Sequence, residues 1–103
     1  NTVVLKASEH ASAPMLEFAK VFEEVGFPPG VFNVVTGFGD PCGKALTSHP
    51  LVDRISFTGG AETARHVIRN SAENFAQVSL ELGGKSPLII FEDADIESAV
   101  NGV

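Results

Sequence analysis

Short β-branched runs alternate with segments of helical periodicity along this chain, and few architectures accommodate that alternation. Residues 2–6, 31–36 and 52–58 are rich in Val, Ile and Thr and are predicted strands. Between the first two, Met15, Phe18, Ala19, Phe22 and Val25 recur at helical spacing, with Glu17, Lys20, Glu23 and Glu24 on the opposite face. Ser12 is the expected N-cap of that helix, Pro14 is tolerated in its first turn, and Gly26 with Pro28 and Pro29 ends it. A short helix is expected at 44–48 and a longer one at 61–72, followed by strands at 77–81 and 87–91. Asp93 is the expected cap of a closing helix with an acidic first turn. The order βαβαβαββα predicts an α/β fold, with a mostly parallel sheet and helices on both of its faces.

Composition narrows the function classes. At 103 residues the chain is at most one domain, 44% hydrophobic and 19% charged. Its net charge of −6 argues against a general nucleic-acid or membrane-surface binder, which needs a basic face. No apolar run approaches the ~20 residues of a membrane helix, and "NTVVLKASEH" lacks the basic region of a signal peptide. The single cysteine, Cys42, excludes an internal disulfide and fits a reducing, cytoplasmic compartment. A chain that opens directly on a strand, at "NTVVLK", is expected to be a piece of something longer.

In open parallel sheets, ligands bind beyond the carboxyl ends of the strands. Every notable polar or glycine cluster of this sequence falls there: residues 6–9, 37–43, 58–60 and 81–84. "GFGDPCG" has GxGxxxG spacing rather than the dinucleotide GxGxxG, and the acid expected ~20 residues on is missing. Read alone, it is a tight strand-to-helix turn. "FTGG", Phe57 to Gly60, leads into a helix whose free N–H groups suit a phosphate, although many such turns contain glycine. "LKASE" ends a strand with Lys6 and Glu9; a carboxylate there can accept both hydroxyls of a ribose, and an ordinary solvated ion pair is the alternative. Glu81 is followed by Gly83 and Gly84 and flanked by Val78, Leu80 and Leu82, which predicts an enclosed carboxylate. Burial would raise it from about 4.3 towards the range of a general base. Its alternative is a surface acid on an edge strand. Cys42 has Asp40 beside it and no adjacent cation, so nothing marks it as a nucleophile. His10, His49 and His66 lack metal-ligand spacing, and no metal site is expected. Helix capping accounts for Glu92, Asp93, Asp95 and Glu97.

The segments "NTVVLKASE", "GFPPGVFNVVTGFG", "DRISFTGG" and "SLELGGKSPLIIFEDADIESAV", in this order, resemble the middle of an NAD(P)-dependent aldehyde dehydrogenase over essentially the whole chain. The resemblance implies a Rossmann-like cofactor domain over residues 1–84 and the start of a catalytic domain over 85–103. It implies that Lys6 and Glu9, with Ser8 between them, hold the adenosine ribose. Gly39 matches a glycine beside the adenine, and Gly43 follows on the neighbouring helix. Phe57, Thr58, Gly59 and Gly60 match the turn near nicotinamide and pyrophosphate, Leu82 lies near the nicotinamide, and Glu81 matches the general base. Position 60 is commonly serine in that family, and this chain departs from the pattern with Gly60. Ala7 also stands where proline is frequent. Glu9 implies NAD rather than NADP, which some members also accept. The implied reaction oxidises an aldehyde to a carboxylic acid through a cysteine thioester, with the cysteine beyond Val103. The parents are usually dimers or tetramers. A non-catalytic nucleotide-binding or oligomerising remnant is the second reading of the same sheet.

Overall fold

The structure, a computed structural model, describes residues 1–102 and consists of two βαβ units in succession. In the first, β1 (Val3–Lys6), α1 (Ser12–Glu24) and β2 (Phe32–Val35) place the strands parallel, with Val3 beside Phe32 and Lys6 beside Val35. In the second, β3 (Arg54–Gly59), α3 (Ala61–Ser71) and β4 (Gln77–Leu82) repeat the plan, with Arg54 beside Gln77 and Gly59 beside Leu82. A parallel pair needs a crossover, which the two amphipathic helices supply. Between the units lie an irregular turn at Gly39–Gly43 and the short α2 (Lys44–Thr47).

Different packing holds each unit. Phe22 on α1 stacks on Phe32 of β2 at 4.0 Å, while Phe18 and Phe27 meet Phe32 and Phe22 edge-on. Such aromatic pairs add about 0.5–1.5 kcal/mol each beyond the area they bury. The second unit is drier at its centre: Ile55 of β3 and Ala64 and Val67 of α3 are buried. Alternation along the strands turns Ile55 and Phe57, with Val78 and Leu80 of β4, towards the face that α3 covers.

The strand pairs are parallel, as the alternation predicts, but they form separate ladders rather than one continuous sheet. A cleft of about 530 Å³, lined by Thr2, Val4, Leu51 and Arg54 among others, separates their near edges. The radius of gyration is 18.3 Å, against about 13 Å for a compact domain of this length. The connecting α2 packs on α3 of the second unit.

Three local expectations are corrected. Residues 87–91 form no strand, for a strand exists only against a partner. Leu88, Ile89, Ile90 and Phe91 are exposed instead. The closing helix α4 (Ile96–Asn101) is capped by Asp95 rather than Asp93: Ser98 N–H donates to the Asp95 carboxylate at 2.9 Å. Hydrogen bonds from the Ser98 side chain and backbone hold the Asp95 carboxyl below its ordinary value, so this cap is lost only as pH falls through that lowered range. Ser12 does not cap α1 either; it lies within the helix and its hydroxyl donates back to the Ser8 carbonyl at 2.9 Å.

Candidate functional site

Lys6 is the last residue of β1, and its ammonium has two partners within reach. It donates to the Ala7 carbonyl at 2.9 Å and lies 3.9 Å from the Glu9 carboxylate. Its side chain is only 17% exposed against 41% for Glu9, so this is not the freely solvated pair that spacing alone allows. The methylene stem explains the difference. A Cβ placed on Gly43 would stand 3.5 Å from Lys6 Cδ, so the glycine at the end of the turn packs against the lysine stem. Ser8 is exposed, its hydroxyl accepting from His10 N–H at 3.3 Å and its carbonyl accepting from Ala11 N–H at 3.0 Å. The strand end therefore brings Lys6, Glu9 and Gly43 together. Gly39 sits on the open side of the turn, with nothing within 4 Å of where a Cβ would be.

The second group of candidates gathers at the ends of β3 and β4. Their register sets Thr58 beside Glu81 and Gly59 beside Leu82. Gly59 has φ +159°, and a Cβ there would lie 2.7 Å from the Phe57 ring, so the turn folds tightly over its own phenylalanine. Gly60 occupies the N-cap position of α3 in extended conformation, with no side chain capping the helix. The open N–H groups of the first turn suit an anion.

Glu81 corrects an expectation. It is exposed, not enclosed, because Val78, Leu80 and Leu82 alternate to one face of β4 and Glu81 to the other. Its face also carries Thr58 and the Arg54 guanidinium, which donates to Ser79 Oγ at 3.1 Å. Directly after Leu82, Gly83 takes φ +61°, a left-handed turn open to glycine that redirects the chain. The carboxylate is thus held at a strand end with free approach from one side.

Reading along the sequence missed the contacts that join the two groups. Asn70 of α3 donates to Thr47 Oγ1 of α2 at 2.9 Å, across 23 positions of chain. No local spacing marks such a pair. Among the described residues, no three His, Cys, Asp or Glu side chains converge on a metal position. None of the helices there is long and apolar enough to cross a membrane.

The chain is similar to known proteins over nearly its whole length. The chain is 68% identical, over 97% of its length, to (Z)-2-((N-methylformamido)methylene)-5-hydroxybutyrolactone dehydrogenase of Acinetobacter baylyi, of which it covers 20%. It superposes on PnpE in complex with nicotinamide adenine dinucleotide with a TM-score of 0.81 and 48% identity, covering 99% of this chain and 21% of that one. For the NAD+ complex of an aldehyde dehydrogenase from Bacillus cereus the TM-score is 0.77 and the identity 50%, over 98% of this chain and 21% of that one. The chain thus spans about one fifth of the length of these relatives. Parallel βαβ units of the Rossmann-like kind and a family model matched across residues 1–103 agree: the chain belongs to the aldehyde dehydrogenase family.

Proposed function

We propose that these residues supply much of the dinucleotide site and the general base of an aldehyde dehydrogenase that oxidises an aldehyde to a carboxylic acid. The observation that carries this reading is the β3–β4 register, which sets Glu81 beside Thr58 and Leu82 beside Gly59, one residue before the helix N-terminus at Gly60. In this reading residues 1–84 belong to the cofactor domain and 85–103 open the catalytic domain. The exposed apolar run from Leu88 to Phe91 supports that division, since it needs cover from another part of a larger protein. The unpaired thiol of Cys42 favours a reducing compartment, for which we propose the cytoplasm.

The residues fit NAD. Gly43 leaves room for the Lys6 stem, which carries its ammonium to the side of Glu9, and this pair would hold the adenosine ribose. Ser8 lies between them, and Gly39 leaves an open approach beside the adenine. Gly60 and the uncapped first turn of α3 would take the pyrophosphate, with Phe57, Thr58, Gly59 and Leu82 towards the nicotinamide. When bound, NAD supplies the hydride acceptor for aldehyde oxidation. A cysteine outside these residues is left as a thioester, and Glu81 takes a proton from water as its oxygen adds to the thioester carbonyl. Collapse releases the carboxylic acid and the thiolate.

Two substitutions test the cofactor half in the full-length enzyme. Glu9→Gln removes a charge that repels a ribose 2′-phosphate, and the expected result is a drop of about tenfold in NAD over NADP preference. The ratio of kcat/KM for the two cofactors reads it directly, and an unchanged ratio separates Glu9 from the ribose. Gly60→Ser meets open space and an extended backbone that serine adopts without strain. Serine also caps α3, adding a few tenths of a kcal/mol. A hydroxyl donating to pyrophosphate should tighten NAD binding by roughly threefold to tenfold in calorimetric titration. Unchanged affinity would mean that the hydroxyl has no phosphate within reach.

A further inference from the structure

The contact between the connecting α2 and the second unit is polar. Thr47 Oγ1 accepts from Asn70 Nδ2 at 2.9 Å and donates to the Gly43 carbonyl at 2.8 Å. Asn74 Nδ2 adds donations to the His49 carbonyl at 2.8 Å and the Thr47 carbonyl at 3.3 Å. A chain of hydrogen bonds therefore runs from α3, the helix that starts beside Gly60, to Gly43, the glycine against which the Lys6 stem packs. These bonds tie the connecting α2 and the turn before it to the second unit, and among the described residues no strand ladder joins one unit to the other.

The donation to Gly43 stays within the turn that opens α2, so the link across to α3 is the part-buried Asn70 bond, seconded by Asn74 just beyond α3, and such directional bonds hold only over a narrow range of separations. An apolar contact tolerates sliding; this one does not. We propose that Thr47 and Asn70 are positioning residues that set the distance between the ribose end of the dinucleotide site, at Lys6 and Glu9, and its pyrophosphate end, at Gly60. The inference rests on the cofactor reading above. Thr47 and Asn70 act through the placement of α2 and α3, so their influence falls on ligands that span both ends.

The experiment compares NAD, which spans both ends, with adenosine, which reaches only the first, by calorimetry on the full-length protein. Thr47→Val and Asn70→Ala each weaken NAD about fivefold and leave adenosine within about twofold of wild type. Thr47→Ser keeps the hydroxyl and keeps NAD affinity. The double variant is little worse than either single one, because both break the same link. Asn70→Ala places a good helix former on α3, so this variant and Thr47→Ser decide the matter if the valine variant does not fold. Parallel loss of NAD and adenosine affinity, unchanged NAD affinity, or a serine variant as weak as the valine one overturns the inference. A wild-type protein that binds neither ligand removes the cofactor reading and the inference together. One that binds both, with variants indistinguishable from it, removes the inference alone.

Discussion

Glu81→Gln in the full-length enzyme should leave the first turnover fast and slow the following ones by roughly a hundredfold or more, the usual contribution of a general base. The amide keeps the shape of the side chain and loses the capacity to take a proton from water. Hydride transfer asks nothing of the Glu81 carboxylate in the proposed mechanism, whereas thioester hydrolysis does. Pre-steady-state kinetics separate them: a burst of reduced cofactor, then a slow steady state. A variant whose deacylation rate matches wild type removes Glu81 from the role, whatever its effect on KM.

Gly37→Ala should be the most damaging small substitution near the ribose end. Gly37 has φ +154°, and a Cβ there would stand 2.7 Å from Cys42 Cβ. Neither atom belongs to a flexible side-chain tip, so the turn that carries Gly39 and Gly43 must shift. The combined strain and overlap should cost about 1–3 kcal/mol of stability. Displacing Gly43 moves the surface on which the Lys6 stem rests, and NAD affinity should fall about tenfold or more with it. Thermal unfolding and calorimetry of the full-length variant measure both. Cys42→Gly in the same background removes the clashing atom and should restore part of each. Wild-type stability in Gly37→Ala alone would show that the turn has slack.

The βαβ plan was legible because it is local. Met15, Phe18, Phe22 and Val25 mark α1 by spacing, and Gly26, Pro28 and Pro29 close it. Glu81 lies at a strand end, as the glycines after it predict, but is exposed rather than enclosed. Its apolar neighbours at 78, 80 and 82 share one parity and face α3, and their own alternation turns Glu81 away from them. The run at 87–91 has strand composition, yet composition does not provide the neighbouring backbone that makes a strand. Asp93 and Asp95 are equal as caps on paper, and only the position of Ser98 N–H selects Asp95. Thr47 and Asn70 are ordinary helix residues in the sequence, and their meeting depends on how two helices cross.

The most direct test of the central claim is amide hydrogen exchange of the full-length protein with and without NAD. The account predicts slowed exchange in the Gly39–Gly43 turn and in the first turn of α3 after Gly60, where free N–H groups face the proposed pyrophosphate. Exchange in both segments that NAD leaves unchanged, while the protein still binds it, would place the cofactor elsewhere and contradict the account.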